Sequence, residues 1–260
     1  MIRRAISRII HGPPSEESRL INAASVFPRH TPHEFNYRGW TIACTDFLSV
    51  AWQVAEIFGD ERMRFPAHRP DPLIVDCGAN VGISLMHQRW RHPQARIIAF
   101  EPDEAVFACL QRNLNVNGIR GIECHRQAVW VHGDGVSFGG DGADGGSILR
   151  ASDAVRVPSI RLRDVLLAHA TVDLLKMDIE GAETDVLLDC GDALARVQRI
   201  YVEYHSFRDR PQRLHELLAA LAAQGFRYYL HRIGAHHAQP FMALADAEMD
   251  LQLDIHAIRP

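Results

Sequence analysis

Carboxylates stand at a few well-separated points of this sequence, each at the end of a short apolar run. Asp76 ends the run LIVDC (73–77) and opens the turn Asp76-Cys77-Gly78-Ala79-Asn80-Val81-Gly82. Glu101, Pro102 and Asp103 follow ARIIAF (95–100). VDLLKMDI (172–179) carries Lys176 and Asp178 near its end, with Glu180 just beyond, and RIYVEYH (199–205) ends in Glu203-Tyr204-His205. Runs of this kind read as strands covered on both faces. Their charged ends are then strand tips, where ligands of open α/β sheets bind. Six carboxylates gather there, and only Lys176 and His205 offset them. Such a ring repels a pyrophosphate. It attracts an ammonium and a sulfonium, since unit charges ~4 Å apart at an effective dielectric near 20 interact by about 4 kcal/mol. The dinucleotide fingerprint G-x-G-x-x-G is not met, because Asp76 and Val81 stand where glycines are needed, and no P-loop occurs. The charges favour S-adenosylmethionine over NAD.

The small residues Gly78, Ala79 and Gly82 let the backbone pass close to a ligand. Glu101 ends the second strand, where an acidic residue can accept both ribose hydroxyls. Gln127 and Ala128 follow as candidates for the adenine edge, with an exposed polar residue as the plainer reading of Gln127. By strand alternation Lys176, Asp178 and Glu180 share one face, as do Glu203 and His205. Methyl transfer to oxygen needs the acceptor aligned with the methyl–sulfur bond, worth up to about 7–11 kcal/mol in ideal systems, and a base to take its proton, worth about 10²–10⁴-fold. His205 is the first choice for that base, its intrinsic pKa lying near 6.5. A surface histidine is an equal alternative in a chain with 15 of them. A rival reading joins Asp178, Glu180 and Glu203 in a divalent metal site, as magnesium takes a few carboxylates plus waters. A third has Glu180 and Glu183 capping the next helix and complementing its dipole.

The elements that position these groups alternate. Helices are expected over Gly82–Arg91, Glu104–Asn117, Arg161–Ala168, Glu183–Leu188 and Pro211–Gln224, the last with Pro at its first position. A third strand is expected over 122–131 and two last ones over 227–233 and 251–258, the final pair as an antiparallel hairpin. The result is a doubly wound, mostly parallel seven-stranded sheet with an antiparallel edge strand. Residues 71–260 form that domain. Residues 1–70 read as an extension with an irregular segment, a hairpin at Arg38-Gly39 and a helix from the N-cap Asp46, serving as a lid, an acceptor region or a dimer surface. Trp40, Phe47 and Trp52 there read better as core than as pocket lining. The Gly/Asp-rich loop 132–147 is placed to close over the cofactor.

Composition narrows the partners. Net charge is −4, without the basic surplus of a protein that lives on phosphate contacts, so nucleic acid is not an expected partner. Five widely spaced cysteines form no C-x-x-C pair and read as reduced thiols. The start MIRRAISRII lacks a long apolar core and is not read as a signal peptide. No uncharged apolar run approaches the ~18 residues of a membrane span. A cytoplasmic protein is expected, and a homo-oligomer is compatible with the sequence.

Together DCGANVG (76–82), AFEPDE (99–104), LLKMDIEGAE (174–183) and VEYH (202–205) resemble the FkbM family of S-adenosylmethionine-dependent methyltransferases over roughly residues 45–205. The resemblance implies a Rossmann-like class I methyltransferase fold and O-methylation of hydroxyls on polyketides, sugars and glycans. It implies that Asp76, Gly78, Asn80 and Gly82 form the cofactor loop, that Glu101 holds the ribose, and that Asp178 faces the methionine end or the acceptor. The first seventy residues and the tail after Phe207 match less clearly, which leaves the acceptor open. Competing classes are a nucleic-acid methyltransferase, an aminopropyltransferase using a related cofactor, and a non-catalytic cofactor-binding module.

Overall fold

The computed structural model describes residues 14–140, 146–148, 154–233, 241 and 249–260. The leader reading of residues 1–10 and the middle of the Gly/Asp-rich loop lie outside them.

Helix α1 (Glu16–Ala24) leads into the expected hairpin, β1 (His33–Tyr37) against β2 (Trp40–Cys44). Its turn residues Arg38 and Gly39 take φ of 47° and 84°, as a two-residue turn matching the strand twist requires. Asp46 caps α2 (Phe47–Val54), accepting the Ser49 N–H at 3.0 Å. The same carboxylate takes Arg29 Nε at 2.8 Å and so ties down the segment before the hairpin. The helix then widens into a π turn, Ala55–Gly59, a distortion that recurs at functional sites.

Strands and helices then alternate: β3 (Leu73–Cys77), α3 (Ile83–Arg91), β4 (Arg96–Phe100), α4 (Glu104–Val116) and β5 (Ile122–His125). Four short strands follow, β6 (Ala128–Trp130), β7 (Val136–Phe138), β8 (Val155–Val157) and β9 (Ser159–Arg161). The chain ends with α5 (Leu162–Leu167), β10 (Leu174–Met177), α6 (Glu183–Cys190), β11 (Arg199–Phe207), α7 (Leu214–Ala223), β12 (Arg227–Ile233) and β13 (Met249–Ile258). The sheet order is β12-β13-β11-β10-β3-β4-β5. Of the seven strands in this sheet only β13 runs against the others, inserted between β11 and β12, one place in from the edge. Strand order reverses between β3 and β10, and a crevice forms at such a switch point.

Three expected elements differ in extent. The third strand divides: β5 stays in the main sheet, whereas β6 leaves it to pair with β9. The break falls at Arg126 and Gln127, which pair with neither neighbour strand. Helix α7 begins at Leu214, not Pro211, because Arg213 at its N-cap is held outside the helix by Asp185 and Glu216. Strand β10 ends at Met177, so alternation along it does not place Asp178 and Glu180.

The core divides across the sheet. Ile74 packs on one side, while Leu73, Val75 and Cys77 pack on the other, as strand alternation dictates. The first side also takes Tyr37, Ile42, Val50 and Phe58, so the N-terminal segment shares the core of the sheet domain. Asn113 of α4 links the two. It accepts the Ala43 N–H at 2.7 Å and donates to Ala43 and Val81 carbonyls, each at 2.9 Å. Asn113→Leu strands three buried backbone groups, and we expect it to lower the urea-unfolding free energy by about 3 kcal/mol. An unchanged midpoint would mean the segment is not anchored there. Among the described residues, no helix is long and apolar enough to cross a membrane.

Candidate active site

The loop after β3 is shaped by where its backbone must go. Gly78 and Ala79 N–H groups both donate to the Phe100 carbonyl at the end of β4, at 3.0 and 2.9 Å. Gly78 takes φ +83°, and a Cβ on it would overlap the Asp178 carbonyl oxygen. Asn80 (φ 47°) and Gly82 (φ 92°) also adopt left-handed backbone. Asn80 is among the residues that tolerate it, and Gly82 starts α3. The result is a tight turn seated on the tip of β10.

Asp76 lies behind this turn. It is buried, accepts the Ser84 hydroxyl at 2.5 Å, and stands 3.5 Å from Lys176 Nζ. The expected direct part in the cofactor loop becomes a supporting one, because the carboxylate is enclosed by β3, α3 and β10. Lys176 itself is buried, donating to the Gly78 carbonyl at 2.5 Å and Asp178 at 3.2 Å. Burial opposes its charge, but Asp178, Asp76 and Glu203 more than offset that and raise its pKa.

A cavity of about 600 Å³ opens over the tips of β3, β4 and β10, a size usual for a ligand site. Gly78, Asn80, Glu101, Pro102, Gln127 and Ala128 line one part of it, as expected. Ala79 and Lys176 face a smaller hollow beneath, and Gly82 reaches neither. Phe138, Gly146 and Ile148 show that the described ends of the Gly/Asp-rich loop border the cavity, and Ser147 Oγ donates to the Glu180 carbonyl at 2.6 Å.

Glu101 is fixed by two backbone donors, Asn80 N–H at 3.0 Å and Asp103 N–H at 2.9 Å, one to each oxygen. Burial pushes its pKa up to about 7. Each carboxylate oxygen keeps acceptor capacity. A buried carboxylate held rigid at a cavity wall fits a ribose diol, and the close approach at Gly78 leaves room for a cofactor over the turn.

Asp178, Glu180 and Glu203 also line the cavity. His205 stands behind them, buried, with Nδ1 3.1 Å from Glu183 Oε1 and Nε2 3.6 and 3.7 Å from Glu203 and Glu180. Burial disfavours its charge, but Glu180, Glu183 and Glu203 outweigh that and hold its pKa well above the ordinary value. The expected base is set back from the cavity wall, and Gln252 Nε2 lies 3.3 Å from its Nε2. Burial and then Asp178 raise the Glu203 pKa, and Gln252 Nε2 donates to this carboxylate at 2.6 Å.

Glu183 does act at the start of α6, as expected, accepting Ile179 and Gly181 N–H at 3.1 and 3.0 Å. Glu180 does not: it sits in left-handed backbone, φ 55°, at the cavity wall. One atom each of Asp178, Glu203 and His205 lie within 4.8 Å of one another, which overlaps the expected metal set of Asp178, Glu180 and Glu203. Lys176 Nζ stands 3.2 Å from Asp178 and His205 Nε2 3.6 Å from Glu203, so these carboxylates have partners within the protein.

Sequence reasoning missed Glu56 and Arg62. Both line the cavity, with Arg62 Nη1 3.3 Å from Glu56 and 3.0 Å from Asp254. The polar positions Ser49 and Gln53 of α2 and Glu56 of the π turn were a weak signal for Glu56, and Arg62 had none. Phe47 is core, packed on Phe35, and Trp40 packs on Phe58. Trp52 is 51% exposed and lines the cavity.

The model of the Methyltransferase FkbM domain matches residues 76–228, from the cofactor turn to the start of β12. The chain is 28% identical over 171 residues to Methyltransferase 1 of Beauveria bassiana, covering 56% of this chain and 69% of that protein. It is 26% identical over 230 residues to the 31-O-demethyl-FK506 methyltransferase FkbM of Streptomyces tacrolimicus, covering 72% and 86%. Its fold resembles the SAM-dependent methyltransferase from Agrobacterium tumefaciens, with TM-score 0.52 at 8% identity, covering 88% of this chain and 70% of that one. The domain match takes in Glu101, Asp178, Glu203 and most of the cavity's sheet-side wall, and on it this chain belongs to the FkbM family of methyltransferases.

Proposed function

We propose that this enzyme transfers a methyl group from S-adenosylmethionine to a hydroxyl oxygen of a small molecule or sugar. The observation that carries this reading is Glu101, a buried carboxylate fixed by two backbone donors in the wall of the cavity. Bound there, the cofactor supplies an electrophilic methyl on sulfur. The chain's own residues do the rest. Glu101 accepts the ribose hydroxyls, Gln127 meets the adenine edge, and Asp178, steadied by Lys176, faces the methionine end. Glu203 takes the acceptor's proton, its raised pKa bringing it nearer the value a base needs at neutral pH. His205, held by Glu183, positions Glu203 and stabilises its charge.

Mass spectrometry of products tests the reaction, with isotopically labelled cofactor and panels of alcohols, amines and nucleic acids. O-methyl ethers are the expected products, and Glu203→Gln is expected to lower kcat by about a hundredfold without weakening S-adenosylhomocysteine binding. Methylation of amines or nucleic acid alone, or full activity in Glu203→Gln, overturns the reading.

Glu101 also gives the site a pH signature. Its pKa of about 7 leaves it partly protonated in the free enzyme at neutral pH, whereas hydroxyl donors favour the ionised form. Binding of S-adenosylhomocysteine should therefore release protons near pH 7, and affinity should rise with pH through about 7. Calorimetry in buffers of different ionisation enthalpy checks this. Release that persists unchanged in Glu101→Gln would assign it elsewhere.

A further inference from the structure

The two ends of the seven-stranded sheet are finished differently. At one end β5 is four residues long, exposes Glu123 and stops at the break before β6. Short length and charge of this kind keep a sheet edge from pairing with another chain. At the other end β12 runs for seven residues, of which the first six are exposed. Its register with β13 is unbroken from Arg227 to Ile233, and it contains neither proline nor a carboxylate. Tyr228, Tyr229 and Leu230 stand open in a row, Tyr229 to 69%. Among the described residues no strand pairs with the outer side of β12. A long apolar edge of this kind is a template for a further strand.

The sequence of β12 matches a second copy of itself. Pairing with β13 puts Tyr228, Leu230 and Arg232 on the side of the sheet that α7 covers, opposite Ala257, Ile255 and Leu253. Tyr229 and His231 lie on the other side, opposite His256 and Asp254. Opposed residues of an antiparallel pair point to the same side of a sheet, so a strand joined to its own copy pairs residues an even number of places apart. The register centred on Leu230 is the one that uses all seven residues. It sets Arg227 opposite Ile233, Tyr228 opposite Arg232, Tyr229 opposite His231, and Leu230 opposite its own copy. No arginine meets an arginine. Each Arg232 lies beside a tyrosine ring, a favourable contact for a guanidinium. The two Arg232 positions stand four residues apart along the strands, about 14 Å, beyond the ~8 Å screening length at physiological salt.

We propose that β12 joins two copies of this chain edge to edge, about a two-fold axis at Leu230, in one continuous sheet. The pairing bears on the cavity, because β12 ends in Arg232 and Ile233, both in the cavity wall. Arg227 of the second copy comes to lie beside Ile233, since directly opposite residues have Cβ atoms about 4.5–5.5 Å apart. Each copy thereby adds an arginine to the rim of the other's cavity.

The test uses the full chain without cofactor, so its outcome is independent of the methyl-transfer reading. Light scattering at micromolar concentration should give twice the mass of one chain for the wild type. It should give one chain's mass for Leu230→Arg, in which two guanidiniums face each other across the axis. Circular dichroism checks that this variant is folded. Leu230→Cys leaves the edge intact, and on mild oxidation it should form an intermolecular disulfide that the wild type, with its free cysteines, does not. Tyr229→Cys should not, because its two copies are diagonal neighbours about 7–8 Å apart, outside disulfide reach. A monomeric wild type, a dimer that survives Leu230→Arg, or a Leu230→Cys protein that cross-links no better than Tyr229→Cys overturns the inference.

Discussion

Gly78→Ala should destabilise the protein by at least about 3 kcal/mol and abolish cofactor binding with it. Two effects add. Residue 78 sits at φ +83°, which costs a side chain roughly 1–2 kcal/mol. The new Cβ would also overlap the Asp178 carbonyl, a backbone atom on the tip of β10 that cannot swing aside. Relieving the overlap means separating the cofactor turn from β10, and the turn carries Asn80, whose N–H holds Glu101. Gly118→Ala is the control. It has φ +67° but nothing within 4 Å of its Cβ, so only the conformational cost of about 1–2 kcal/mol applies. Urea unfolding of both variants decides the matter. Equal losses in the two would mean that the close approach at Gly78 has no energetic weight.

Glu183→Ala ranks second, with an expected loss of about 3–5 kcal/mol, the range for breaking a buried charge pair. Its Oε1 alone accepts from Ile179, Gly181 and His205. Truncation leaves two backbone donors and the His205 ring without it. Glu183→Gln keeps an acceptor for the backbone donors and loses only the charge, so about 1–3 kcal/mol is expected. The pH dependence carries a sign. His205 has a raised pKa in the folded state. Its contribution is therefore complete below the unfolded value of about 6.5 and fades as pH rises through the folded value. Glu183→Gln should lower that upper limit. Unfolding curves from pH 6 to 9 that stay parallel for wild type and variant would contradict the assignment.

The sheet was legible because buried parallel strands leave a plain mark, short apolar runs ending in charge. The turn at Arg38-Gly39 and the Asp46 cap were legible because both are local chemistry. The division of β5 from β6 was not, since the apolar pattern runs on through Arg126-Gln127 and only pairing with β9, some thirty residues later, draws β6 away. Nor could Pro211 reveal that Arg213, bound to Asp185, delays the helix. At the site, Glu101, Asp178 and Glu203 were legible as strand-tip carboxylates. His205 was located but not its state, because its charge depends on Glu180 and Glu183, which belong to the loop and helix after β10. Glu56 was missed because an eight-residue helix and a π turn give little pattern until the sheet shows which face meets the cavity.

The central claim, that this cavity binds S-adenosylmethionine through Glu101, is tested most directly by calorimetric titration of S-adenosylhomocysteine into wild type and Glu101→Ala, with NAD as control. Micromolar binding to the wild type is expected, with at least about a hundredfold weaker binding to a Glu101→Ala protein shown to be folded, and none of NAD. Tighter binding of NAD, or equal affinity in the two proteins, would contradict it.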